Sequence, residues 1–500
     1  MLAVKSVHLS IPRALSLERL TTLILCGFIL AYGIVALARV AYPFDLDFLE
    51  DDNLIEAWRF SQGWPVFVAP NADFVPHAYA PLYMLLSADL FKLSGVGFSP
   101  MRLLSLAATV ATAILLGWAG YAISRRSAVA LIGPGLFLAG YALTGAQYEL
   151  ARVDSLMLAL VIGGTLLGVM GAHSRRAVAL SALCLALAFF SKQTGLIFGV
   201  GMAGYLFATR RRHTGTFLLL LALMIGIPLI VMDSLTGGWS TRYLLEVPGS
   251  DPLAIGRVIS YVRHDLLQSL GPLCAITLAS IVLGRGGPPL EHPIARAWPW
   301  FALVALAASG WMRARLGGNL NSLIPAYTFL CLMPAILLDS LAAARPALGV
   351  TGRRLVYLAV IGQCVIGVYN PASEIPGAAM QESGWRLIQR IAQMPGPVLV
   401  AEHPYYALLA GKAPGVSLTA LWHARGRGAS PLPDDLAQRI RQQSYAAIIT
   451  DEGTYPEVEA DLDALIAASY PVRAPLGAQD APPTLSGVIV QPAWVYTPGE

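Results

Sequence analysis

The stretch PFDLDFLEDDNLIEAW, residues 43–58, carries six carboxylates, Asp45, Asp47, Glu50, Asp51, Asp52 and Glu56, directly after the first long apolar run. That is a fifth of the 30 acidic residues of a 500-residue chain, gathered in sixteen positions. The surroundings make this unusual: 56% of the chain is hydrophobic and 13% charged, against about 25% charged in ordinary soluble domains. With a mean hydropathy of +0.61, the composition is that of a polytopic α-helical membrane protein with an appended domain. The net charge of +4 is small and scattered, no basic block exceeds Arg210, Arg211 and Arg212, and nucleic-acid binding is therefore not expected.

Working outward from the acidic stretch, the first apolar run spans about 20–42 and follows Lys5, Arg13 and Arg19. It is longer than the roughly 7 to 15 residues of a signal-peptide core, so an uncleaved anchor is expected. Ten further apolar helical runs follow, at about 103–122, 128–145, 154–171, 177–190, 195–209, 215–232, 266–284, 297–311, 320–340 and 354–369, which gives about eleven transmembrane helices. The segment PLYMLLSADLFKLSG, 81–95, is broken by Asp89 and Lys92. It falls short of the roughly 17 residues needed to span, and reads as an amphipathic interfacial helix.

Charge tests this threading, because short cytoplasmic loops collect Lys and Arg. With the N-terminus inside and 81–95 unthreaded, Arg125/Arg126, Arg175/Arg176, Arg210–Arg212, Arg285/Arg296 and Arg345/Arg353/Arg354 all fall inside. The opposite face then receives the acidic loop 43–80, GAQYELARVD at 145–154, SKQTG at 191–195, the loop 233–265 and MRARLGGNLN at 312–321. Residues 1–372 are thus a membrane domain and 373–500 a small outward α/β domain. In the latter, GPVLVA and YAAIIT read as strands, DDLAQRIRQQ and EVEADLDALIAA as helices.

The polar clusters on the outer side are the candidate chemistry. Asp47 and Glu50 sit three apart, and a continued helical turn would aim both at the interface. A carboxylate near lipid and near another carboxylate has its proton affinity raised, which suits a general base. Arg152 has the geometry to hold a phosphate, with Asp154 orienting it or binding a metal; the plain alternative is a local Arg–Asp pair at a helix end. Lys192 either snorkels to the headgroups or binds a lipid phosphate as a point charge. Arg313 and Arg315, with Asn321 beyond a glycine turn, lie where the positive-inside bias should have removed arginine. His77 and Tyr79, ahead of APLY, and His403, in AEHPYY, complete the candidate substrate-binding set. A GxGxxG at Gly199, Gly201 and Gly204 lies inside an apolar helix, the wrong context for a dinucleotide, and reads as close helix packing.

In order and spacing, the acidic first loop with Asp-x-x-Glu, DFVPHAYAPLY, ARVDSLMLAL, AFFSKQTGL, NLNSLIPAYTFL and HPYYALLAGK resemble bacterial membrane glycosyltransferases of the GT-C fold. The similar group is the family 39-like one related to protein mannosyltransferases and aminoarabinose transferases. The resemblance implies transfer of a sugar from a polyprenyl-phosphate donor to an envelope acceptor, lipid, glycan or protein, at the periplasmic face of the bacterial inner membrane. It also implies Asp47 as base with Glu50 its nearest rival, Asp154 as second acid, and Arg152 and Lys192 on the donor phosphate. If a divalent ion such as Mg or Mn takes part, Asp47 and Asp154 are its expected ligands. The competing reading is a transporter or flippase of the lipid-linked sugar, but transporters usually show internal repeats and midplane charges, and neither is evident here.

Overall fold

A computed structural model describes residues 16–286, 291–343, 346–426, 430–452, 460–477 and 479–499; Lys5, Arg13 and Arg345 lie outside them. Helix α1, Leu17–Val40, is capped by Ser16, whose side chain accepts from the Arg19 N–H. The chain then breaks and restarts as α2, Phe48–Ser61. This corrects the expected continued turn. Asp47 is the N-cap of the new helix, its carboxylate accepting the Leu49 N–H at 3.1 Å, and the peptide groups between the two helices are bonded by side chains instead of by a helix ladder.

The expected interfacial segment forms α3, Leu82–Ser94, and α4 runs from Phe98 to Ser124. After two short helices, Ser127–Ala130 and Ile132–Ala139, come α5 (Asp154–Met170), α6 (Arg175–Ser191), α7 (Gly195–Thr209) and α8 (Arg211–Thr236). Later, α9 spans Pro293–Arg313. Among the described residues five helices are long and apolar enough to cross a membrane, or six if the pair Ile255–Ser269 and Gly271–Leu283, bent by 88°, is one span. Three of the remaining expected runs make shorter apolar helices, Ser127–Ala139, Asp154–Met170 and Gly195–Thr209. The run 128–145 is interrupted because Gly140 and Gly145 end its helical turns. In α7 the glycines of GxGxxG face Leu221, Val304 and Trp300, the helix-packing role expected of them.

The chain ends in a four-stranded sheet of order β1-β2-β4-β3, formed by β1 (Val398–Val400), β2 (Ala447–Asp451), β3 (Val472–Pro475) and β4 (Pro492–Thr497). β1 and β2 pair in parallel, and β4 is antiparallel to both β2 and β3. β1 is apolar throughout and β2 from Ala447 to Ile449, and both are buried along their whole length, the pattern of a strand covered on both faces.

What fixes α2 against this framework is one ion pair. Arg102 of α4 uses all five of its N–H donors inside the protein. Nε and Nη2 bond Glu50 at 2.9 and 2.6 Å, Nη1 bonds the carbonyls of Arg39 (3.0 Å) and Tyr42 (2.7 Å), and Nη2 also bonds that of Phe44 (2.7 Å). Glu50 accepts two further bonds, from the backbone N–H groups of Leu46 (2.7 Å) and Ala151 (2.6 Å). Both side chains are fully buried, so each charge depends on the other. Removing one member of such a pair costs about 3–5 kcal/mol, whereas replacing both is far milder. Glu50→Gln and Arg102→Met should each lower the unfolding midpoint of the detergent-solubilised protein sharply, with Glu50→Gln/Arg102→Met losing less than their sum. Strictly additive losses in that double-mutant cycle would refute the coupling.

Candidate active site

A cavity of about 740 Å³ opens where the 76–80 segment, the ends of α5, α6 and α9, and the C-terminal domain converge. Its walls include His77, Tyr79, Arg152, Lys192, Arg257, Arg313, Arg315, Asn321, Trp422, His423 and Val488. Five basic side chains line it against one acidic one, Asp251, so its field favours an anion.

The sequence-predicted residues divide into three groups. Arg152, Lys192 and Asp154 come together as expected. Arg152 sits between two carboxylates, with Nη1 in a very short contact to Asp47 and Nε 3.4 Å from Asp154. Lys192 Nζ lies 2.6 Å from the other Asp154 oxygen, which also accepts from Asn321 Nδ2 at 3.1 Å. Lys192 is there because α6 ends at Ser191 and the chain turns extended at Lys192, which throws its side chain toward the start of α5. The second group, Arg313 and Arg315, lines the cavity but stitches its wall: Arg313 pairs with Asp265 at 2.8 Å and bonds the Gly318 carbonyl, and Arg315 bonds the carbonyls of Pro248 and Asp251.

The third group lies behind the cavity. Glu50 is absorbed by Arg102 and by the Leu46 and Ala151 N–H groups, which fill its oxygen positions. Asp47 is fully buried and absent from the cavity lining; Gln147 Nε2 donates to its second oxygen at 2.6 Å. Burial pushes the Asp47 carboxyl above its ordinary range, against the opposing pull of Arg152. The segment around Gly487 covers it. Ser486 and Leu485 N–H groups bond the Leu46 carbonyl at 2.9 and 3.0 Å, and Gly487, at φ +68°, passes so close that any Cβ there would collide with Asp47 and Gln147.

His403 is also remote from the cavity. Its Nδ1 lies 2.9 Å from Asp45 and its Nε2 3.1 Å from Asp451, and the Tyr406 hydroxyl donates to Asp45 at 2.6 Å. Burial disfavours the imidazolium, but the two aspartates outweigh it and raise His403 well above the usual histidine range. Burial likewise works against the Asp45 charge, and His403 and Tyr406 reverse it, holding Asp45 below its ordinary value. Asp51 beside them is raised well above the carboxylate range by burial and by the Asp45 charge.

The expected metal pair, Asp47 and Asp154, does not make a cation site: Arg152 occupies the space between the carboxylates and Lys192 takes the remaining charge. Asp45, Asp51 and His403 instead form the group whose ligand atoms, all within 4.8 Å of one another, can hold a metal ion. Both His403 nitrogens are already engaged by carboxylates, so an ion there would have to replace those contacts.

Sequence reasoning missed Gln147, Arg102, His423 and the Gly487–Val488 wall. Arg102 had a signal, since it lies at the outer mouth of an apolar run. Gln147 lay within the quoted GAQYELARVD. Nothing local distinguishes Gly487, whose role comes from what it packs against across the fold.

No family model matches the chain, and no curated protein does. Among solved structures it is similar to ArnT from Cupriavidus metallidurans bound to undecaprenyl phosphate, with 13% identity, TM-score 0.56, and coverage of 94% of this chain and 98% of that one. The apo form of that protein gives a TM-score of 0.59 at the same identity, over 94% and 97%. The Archaeoglobus fulgidus oligosaccharyltransferase tethered with an acceptor peptide gives 0.50 at 11% identity, over 89% of this chain and 70% of that one. The fold is GT-C. Likeness at these identities fixes the architecture, and the GT-C chain's chemistry rests on its own residues.

Burial pushes Asp52 up to about 7, against about 3.9 in an unfolded chain. The folded protein therefore holds one more proton than the unfolded chain between those values, and its stability falls as pH rises from about 4 to about 7, then levels. Asp52→Asn removes this penalty. Thermal unfolding should show the variant gaining on wild type more at pH 8 than at pH 5, by about 3 kcal/mol; a wild-type advantage that grows with pH would contradict it.

Proposed function

We propose that this GT-C chain is a bacterial inner-membrane glycosyltransferase that moves a sugar from a polyprenyl-phosphate carrier to an envelope acceptor at the periplasmic face. The observation that carries the reading is a pair of unlike spaces lined from the same two short segments. Tyr79 and Lys192 line the cationic cavity. A second groove of about 670 Å³, lined among others by Pro81, Leu82, Leu187, Phe190, Leu223 and Ile227, is almost purely apolar. Pro81 follows Tyr79 by two residues and Phe190 precedes Lys192 by two, so the two spaces draw on neighbouring residues of both segments. A ligand suited to both has an anionic head and a long hydrocarbon tail.

In this reading the eleven apolar runs within 1–372 form the membrane part and 373–500 the outer domain, which closes the cavity with Trp422, His423 and Val488. Lys192 and Arg152 hold the donor phosphate with the donors that Asp47 and Asp154 leave unused; those carboxylates keep the two cations in place. As the glycosidic bond breaks, charge accumulates on the leaving phosphate, and fixed cations in a water-poor site stabilise that state more than the ground state.

Cells lacking the chain should accumulate one polyprenyl-phosphate sugar, measured by mass spectrometry, and so should cells carrying Arg152→Gln or Lys192→Gln. Each substitution should lower turnover at least about 100-fold, the scale of losing one such electrostatic contact. Purified wild-type protein should also release polyprenyl phosphate from that sugar. Accumulation in cells without any such release would favour a flippase instead.

A further inference from the structure

A second cationic hollow lies at the end of α1 remote from the acidic stretch. Helix α1 has 24 residues, so its two ends stand about 36 Å apart. At its start, a cavity of about 550 Å³ is lined among others by Glu18 of α1, by Arg126, and by Arg353, Arg354 and Tyr357 of a further helix, α10 (Pro346–Ile366). Three guanidinium groups there face one carboxylate.

The single acid is already spent. Both Glu18 oxygens accept from Arg126 Nη2, at 2.8 and 2.7 Å. Arg353 gives its Nε to the Gly349 carbonyl at 3.0 Å, which leaves both of its terminal nitrogens, and Arg354 makes no hydrogen bond or ion pair among the described residues. The stretches that lead into the two helices cannot supply the missing charge, because residues 1–15 and 344–345 contain no Asp or Glu.

Arginine at these helix ends is what the positive-inside bias expects. That bias does not account for Tyr357. Its side chain is 7% exposed, its hydroxyl makes no hydrogen bond among the described residues, and the charges of Glu18, Arg126 and Arg353 all act on it, so it points into the hollow. A buried hydroxyl beside unspent arginines marks a missing acceptor, and the first N–H groups of α1 add their positive end to the same space.

We propose that this hollow binds the phosphodiester of an anionic phospholipid, in the leaflet opposite the cationic cavity. Lipid is favoured over a free phosphate by what lies directly beyond the charged groups. Leu20 and Leu23 of α1 and Leu355 and Leu358 of α10 are all exposed, on two helices long and apolar enough to span, and they give acyl chains a surface to lie on. Basic pockets between spanning helices take anionic headgroups in this way.

The test uses the full chain, delipidated in a neutral detergent and titrated with phosphatidylglycerol, phosphatidylethanolamine or inorganic phosphate, with bound lipid counted by native mass spectrometry. Phosphatidylglycerol should bind at least about tenfold more tightly than phosphatidylethanolamine. Arg353→Gln/Arg354→Gln should weaken it about 30-fold, at about fivefold for each arginine, and Tyr357→Phe about fivefold. Glu18→Gln frees Arg126 and should tighten binding, a change of sign that damaged folding does not produce. Arg175→Gln/Arg176→Gln, an exposed pair at the start of α6, and Arg152→Gln in the other cavity should both bind as wild type does. Equal affinity for the two lipids, equal loss in both arginine pairs, or displacement of the lipid by equimolar inorganic phosphate overturns the assignment and leaves the transferase reading standing.

Discussion

The bond between Arg102 and Glu50 is the constraint on which the rest of the structure hangs. A guanidinium with five donors and a carboxylate accepting four bonds are both removed from water, at a place where two helices fail to join. Together they bond the carbonyls of Arg39, at the end of α1, and of Tyr42 and Phe44, in the break, with the backbone N–H groups of Leu46 and Ala151. Because the Ala151 N–H is one of those groups, the same pair that positions α2 also sets the position of Arg152. The site is thus coupled to α2 and α4 through a fully desolvated contact.

The other acids of the 43–58 stretch repeat this logic with different partners. Asp47 ties to Arg152, Asp45 to His403, Asp51 to the Tyr405 N–H at 2.8 Å, Asp52 to Ser417, and Glu56 to the His77 N–H. Every residue of α2 from Phe48 to Ala57 is buried, so a helix that looks fit for water is enclosed on all sides. Asp45 and Asp51 share the 403–406 segment while Asp47, Asp52 and Glu56 reach others, and α2 with its N-terminal approach joins the membrane helices to the segment next to β1.

Much of this was legible in advance, and the reasons are physical. Hydropathy located the helices within a few residues, because burying unpaired backbone in lipid is forbidden and leaves a strong compositional mark. The union of Arg152, Asp154 and Lys192 was readable because each stands at the outer end of an apolar run, and ends of neighbouring runs meet. The surroundings of the first-loop acids were not legible for a complementary reason. Spacing places Asp47 and Glu50 on one turn, but Asp47 caps the new helix, and Arg102, 52 residues away, claims Glu50. The strands β3 and β4 were missed because their outer faces are partly exposed, which blurs the apolar run that revealed β1 and β2.

The segment around Ser486 gives the molecule a property of its own in time. Ser486 Oγ accepts from Arg39 Nη2 at 2.6 Å across 447 residues of sequence, and its neighbours Gly487 and Val488 wall in Asp47 and the cavity. During synthesis the helices that hold the cations are inserted long before this segment emerges. A nascent chain therefore carries an open, unshielded precursor of the pocket, and only its late-made end excludes water from it.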